Sequence, residues 1–124
     1  NRTYPRRALA GFFRTARVGL VTPLRDGLNM VAEEFVAAQD AADPGALVLS
    51  RFAGAAALLE NAGALIVNPS DVLDTAGALH RALTMSREER ADRWRSLIAA
   101  VRANDIHAWR RRFLAHLGEL AVAA

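Results

Sequence analysis

The chain contains no cysteine. That excludes disulfides, thiolate-bound metals and a cysteine nucleophile, and it is compatible with a reducing compartment such as the cytoplasm. Lysine is missing too: all sixteen basic residues are arginine. So complete a skew looks like a GC-rich coding habit and carries little functional weight, although arginine does match phosphates and carboxylates geometrically. No apolar run approaches the length of a membrane span, so no membrane association is expected. Nothing resembles a signal peptide either, because the apolar LAGFF that follows Arg2, Arg6 and Arg7 is interrupted too soon by Arg14 and Arg17.

What is present suits one globular domain. The 124 residues are 52% hydrophobic, with interspersed charges and a net charge of only +3, a composition that folds rather than staying disordered. Most arginines alternate with acids instead of gathering on one face, which argues against a nucleic-acid partner. The short basic run Arg110 to Arg112 reads as the solvated side of an amphipathic helix. His80, His107 and His116 lack metal-ligand spacing, and Ser50 has neither a G-x-S-x-G context nor a nearby histidine. Neither a metal site nor a hydrolase triad is expected, and no cofactor.

The stretch around which the rest is organised is VGLVTPLRDGLNMVAEEFVAAQ, residues 18 to 39. It predicts a short buried strand over Val18 to Thr22, a loop with Pro23 and an Asp26-Gly27 turn, and a helix opening at Asn29 and running to about Gln39. Val31, Phe35, Val36 and Ala38 would face inward on that helix, leaving Glu33, Glu34 and Gln39 to solvent or ligand. Before it, Leu9, Phe12, Phe13 and Ala16 recur at helical spacing, predicting a short helix packed on a sheet.

After a DAADPG turn cluster, ALVLS at 46 to 50 predicts a strand buried on both faces. A Phe52-Ala53-Gly54 loop, expected to line the same crevice, leads into a short helix in AAALLE, and GALIVNP at 63 to 69 predicts a third strand. From Asp71 the pattern is helical. Val72, Ala76, Leu79 and Leu83 form one stripe; Ser86 with Glu89 makes a capping box; Trp94, Leu97, Ile98 and Val101 form the next stripe. Asp105 opens a last helix carrying Trp109, Phe113, Leu114 and Leu117, and both tryptophans fall on stripes that predict core positions.

Three strands separated by helices indicate an α/β fold with a Rossmann-like, doubly wound parallel sheet, βα units over 1–70 and helices over 71–124. In such folds ligands bind beyond the carboxyl ends of the strands, where a helix start aims free N–H groups and a positive dipole end, so an anionic ligand is the natural guest. Asn29 is a good cap for that helix start, and Gly27 allows a close backbone approach. Complete sheets of this kind have about five or six strands. Only half is accounted for here, and its unpaired edge favours self-association.

These residues resemble the trehalose-phosphate synthase family of retaining glycosyltransferases. The matching stretches are LVTPLRDGLNMVAEEFVAAQ, DPGALVLSRFAGAA, ALIVNPSDV, ALTMSREERADRW and NDIHAWRRRFL, which together cover nearly the whole chain in order. The resemblance implies a two-domain GT-B enzyme that moves glucose from UDP-glucose to glucose 6-phosphate, with this chain as the carboxyl-terminal part of the donor-binding domain. It further implies that Asp26 contacts the transferred glucose, that the backbone of Met30, Val31 and Ala32 meets the diphosphate, and that Glu34 takes the ribose hydroxyls. No side-chain nucleophile is implied; the leaving phosphate assists the acceptor, and catalysis rests on stabilising developing charge.

The sequence departs from that pattern in three ways. The family's diphosphate-clamping Arg and Lys and its glucose 6-phosphate domain correspond to sequence upstream of this chain, so the chain alone is expected to be inactive. Leu28 and Met30 are exchanged relative to the usual Asp-Gly-Met-Asn-Leu, which backbone contacts tolerate. Glu33 stands where Lys is common, adding negative charge that weakens donor binding by up to about 1 kcal/mol if exposed. Two other functions fit the same residues: a pseudo-glycosyltransferase coupling cyclitol units through nitrogen, and a noncatalytic binding or assembly module.

Overall fold

A computed structural model describes residues 3–122; Arg2 of the amino-terminal basic cluster lies outside them. The order is α1 (Arg6–Thr15), β1 (Val18–Val21), α2 (Met30–Ala38), β2 (Ala46–Ser50), α3 (Ala56–Leu59), β3 (Leu65–Val67), α4 (Val72–Thr84), α5 (Arg87–Ala103) and α6 (Ile106–Val122). The three strands form one parallel sheet in the order β1-β2-β3, with Val18 opposite Ala46 and Val48 opposite Leu65.

Every residue of β2 is buried because both faces of the central strand are covered. Side chains alternate across a strand, so Leu47 and Leu49 enter one cluster with Phe35, Val36, Leu59 and Leu97, while Ala46 and Val48 enter a second with Leu65, Val67, Ala82 and Met85. The first cluster lies under α2, α3 and α5, and α4 covers the other face. The expected α/β fold with helices on both sides of a parallel sheet is present.

Several helix faces differ from expectation. The main neighbour of α1 is α2, not the sheet; Phe13 and Ala16 reach the core, but Phe12 is half exposed and meets Tyr4 edge-on. On α4, Val72 and Leu83 are exposed and Ala82 is fully buried. A small residue lets the helix backbone approach the strands closely, an arrangement that a search for large apolar residues passes over. Trp94 packs as expected and donates its indole N–H to the Val36 carbonyl at 3.0 Å. Trp109 is not core: it is 53% exposed and stacks on Phe113.

Three contacts hold α2 in place. The Trp94 bond ties its middle to α5. Gln39, expected at the surface, is buried just beyond its end, where it accepts from the Gly45 amide at 2.7 Å and donates to the Phe13 carbonyl. Gly19 in β1 leaves room for the Phe35 ring, whose carbons would lie 2.9 Å from a Cβ there. At the far end of β2 the buried Arg90 guanidinium holds Asp43 at 2.7 Å and the Pro44 carbonyl.

Candidate functional site

The loop from β1 to α2 is built by its own side chains. Asp26 Oδ1 accepts from the amides of Leu28 and Asn29, both at 3.3 Å, and its Oδ2 accepts from the Asn29 side-chain amide at 2.9 Å. Asn29 Oδ1 then accepts from the Ala32 amide at 3.4 Å, capping α2. Asn29 has φ 41° and ψ 69°, the left-handed region that asparagine tolerates better than most residues. These donors hold the Asp26 carboxyl below its ordinary value, the Asn29 side chain most strongly, then the Leu28 amide.

The loop also rests on the β2–α3 turn. The Asp26 amide donates to the Phe52 carbonyl at 3.2 Å and the Gly54 amide to the Asp26 carbonyl at 2.7 Å, a short parallel bridge between Asp26 and Ala53. Ser50, fully buried, accepts from the Phe52 amide at 3.1 Å and shapes the start of that turn. Residues 52–54 therefore lie directly against the Asp26 loop, and both loops leave the carboxyl ends of adjacent strands.

The expected site residues fall in one place but differ in availability. Met30 and Val31, the first two residues of α2, are exposed, and their amides have no hydrogen-bond partner among the described residues. Val31 was expected to face inward; Ala32 is buried instead, and its amide is already taken by Asn29. Gly27 is exposed, and a Cβ there would meet nothing within 4 Å. Asp26 already accepts three hydrogen bonds; a carboxylate has about four lone-pair sites, so little of its capacity remains.

Glu33 is half-buried, and burial raises its carboxyl pKa above the ordinary value. Glu34, one turn past Met30, is exposed and lines a cleft of about 430 Å³ between α1 and α2 with Arg6, Leu9, Ala10 and Phe13. Phe13 thus packs on the core and also borders this cleft, which neither helix announces alone because the pairing of α1 with α2 is not encoded in either. Among the described residues no group of three or more His, Asp or Glu side chains stands close enough to hold a metal ion, and no helix is long and apolar enough to cross a membrane.

Comparison with known proteins gives the chain its family. The family model described as glycosyltransferase family 20 matches residues 1–119. The chain belongs to glycosyltransferase family 20. It is 56% identical over 114 residues to a trehalose-6-phosphate synthase of Sinorhizobium fredii, covering 92% of this chain and 24% of that protein. An α,α-trehalose-phosphate synthase (UDP-forming) from Burkholderia xenovorans, solved with glucose 6-phosphate, superposes with a TM-score of 0.88 at 54% identity, over 94% of this chain and 26% of that one. The E. coli structure with UDP-2-fluoro glucose gives a TM-score of 0.88 at 53% identity, over 94% and 26%. The family 20 likeness thus extends to the fold of nearly the whole chain, while the chain spans about a quarter of the length of these relatives.

Proposed function

We propose that this chain is the carboxyl-terminal part of the donor-binding domain of a UDP-forming α,α-trehalose-phosphate synthase, which transfers glucose from UDP-glucose to glucose 6-phosphate with retention. The observation that carries the proposal is the start of α2: two uncommitted amides, Met30 and Val31, beside a glycine whose missing side chain faces open space. Such a helix start binds a diphosphate through its N–H groups and dipole. Family membership and the ligands named for the two relatives support the choice of UDP-glucose and glucose 6-phosphate.

In this proposal Asp26 and Gly27 flank the transferred glucose, Asn29 fixes the helix start, and Met30 and Val31 donate to the diphosphate. Ala32 contributes by position only, since its amide is occupied. Glu34 accepts from the ribose hydroxyls, and the apolar wall of Leu9, Ala10 and Phe13 beside it offers a surface for the flat uracil ring. Charge developing on the leaving diphosphate is stabilised by the amides, and the departing phosphate assists the acceptor hydroxyl on the same face. Glu33 places a negative charge beside the helix start and works against the donor. Glucose 6-phosphate binding and the basic diphosphate clamp are assigned to sequence beyond this chain. A cytoplasmic location and self-association through an open sheet edge are parts of the same proposal.

Calorimetric titration tests the assignment of Glu34. UDP and inorganic pyrophosphate should both bind the chain, and Glu34→Ala should weaken UDP by roughly tenfold or more while leaving pyrophosphate unchanged. Equal UDP affinity in the two proteins would remove Glu34 from the site.

A further inference from the structure

The contact between the two loops at the candidate site is closer than any side chain allows. A Cβ placed on Gly54 would overlap the Gly27 carbonyl oxygen and lie 2.6 Å from the Gly27 carbonyl carbon and 3.1 Å from the Leu28 nitrogen. These are backbone atoms, which cannot swing aside as a flexible side chain does. Backbone conformation is not what requires glycine here, because Gly63 is the only glycine with a left-handed φ among the described residues. Position 54 is glycine because the Gly27–Leu28 peptide lies against it.

That peptide is held from both directions. The Gly54 amide donates to the Asp26 carbonyl at 2.7 Å, and Phe52 accepts from the Asp26 amide at 3.2 Å. On the other side Asp26 Oδ1 receives the Leu28 and Asn29 amides, and Asn29 in turn caps α2. Behind the turn, Ala53, Ala55 and Ala56 are buried in the main core cluster, so the support is rigid. Asp26 is itself tied to the turn, so displacing the Gly27–Leu28 peptide draws the Leu28 and Asn29 amides away from the Asp26 carboxylate and shifts the Asn29 cap and the first amides of α2 with them.

We propose that Gly54 is a positioning residue for the β1–α2 loop: the β2–α3 turn is a fixed stop against which the Gly27–Leu28 peptide is seated, and this seating sets the aim of the Met30 and Val31 amides. The proposal rests on the donor-site assignment above. A methyl group at position 54 drives the peptide outward, into the open space in front of Gly27 where a ligand enters. Misplacement by about 1 Å costs roughly a hundredfold in a site that works by orientation.

The test compares wild type, Gly54→Ala and Gly77→Ala, the last in α4 where an added Cβ meets nothing. UDP affinity is measured on folded protein, together with the carbon-13 titration of the Asp26 carboxyl. Gly54→Ala is expected to bind UDP about 10- to 100-fold more weakly and to return the Asp26 pKa toward its ordinary value, because the Leu28 and Asn29 donors move away. Gly77→Ala should match wild type in both. Wild-type UDP affinity or an unmoved Asp26 titration in Gly54→Ala overturns the positioning role alone, whereas failure of wild type to bind UDP overturns the donor-site assignment and this proposal with it. If Gly54→Ala does not fold, wild-type hydrogen exchange decides. By reciprocity of coupling, saturating UDP must slow exchange of the Gly54 and Asp26 amides, by about 5- to 150-fold, and unchanged exchange overturns the proposal.

Discussion

Asn29 and Asp26 support each other through two hydrogen bonds, the Asn29 side-chain amide to Asp26 Oδ2 at 2.9 Å and the Asn29 backbone amide to Asp26 Oδ1 at 3.3 Å. Asn29 is thus both the cap of α2 and the brace of the loop before it. Asn29→Ala loses the cap and leaves a β-carbon in the left-handed region, so it should destabilise the chain by about 1–2 kcal/mol. Asn29→Gly, which keeps the backbone freedom, should cost less. Urea unfolding of the three proteins checks the order.

Acid should destabilise the fold through identifiable groups. Asp26, Asp40, Asp43, Glu89 and Asp105 all have pKa values lowered by hydrogen bonds or nearby arginines. A lowered folded-state pKa contributes stability above the unfolded value, and that contribution is lost as pH falls through the folded value. Melting temperature is therefore expected to fall as pH drops below about 4. Glu33 has the opposite sign: its raised pKa favours the fold at low pH, and this contribution is lost as pH rises through the folded value. Glu33→Gln should raise the melting temperature at pH 7 and have no effect below its ordinary value of 4.5. A gain that persists at pH 3 would mean that packing, not ionisation, is responsible.

The two tryptophans should behave differently. Trp94→Phe removes the bond to the Val36 carbonyl and part of the contact between α5 and α2, at a cost of about 1–3 kcal/mol. Trp109 is half exposed, so Trp109→Ser should change the stability of this chain by no more than about 0.5 kcal/mol. Chemical denaturation with fluorescence of each single-tryptophan protein separates them.

Features set by neighbouring residues were legible in the sequence. The caps Asn29 and Ser86 each accept a bond from an amide three residues on, and the apolar run of β2 announces a strand covered on both faces. The features that escaped depend on residues far apart in the chain. Gln39 is buried because it bridges Phe13 and Gly45, and Gly54 is constrained by Gly27, 27 positions away (54 − 27). The stripe on α6 was legible as a pattern. Its burial was not, because Ile106, Trp109, Phe113 and Leu114 find no cover among the described residues.

Activity can be tested by exchange. Substituting this chain for the matching stretch of the Sinorhizobium fredii relative, which is 56% identical over 114 residues, should yield an enzyme that forms trehalose 6-phosphate from UDP-glucose and glucose 6-phosphate. Asp26→Ala in that hybrid should lower turnover by at least about tenfold, since it removes the brace of the loop together with the contact to the transferred sugar proposed for Asp26. A folded hybrid that binds UDP-glucose but forms no product would show that this segment no longer supports transfer.

The most direct measurement is an amide-resolved NMR titration of the chain with UDP. The account predicts that the Met30 and Val31 amides shift first and furthest, that Ala32 moves less because Asn29 already holds its N–H, and that α6 is unaffected. A folded sample with no shifts at millimolar UDP, or with shifts centred on Arg110 to Arg112, would contradict it.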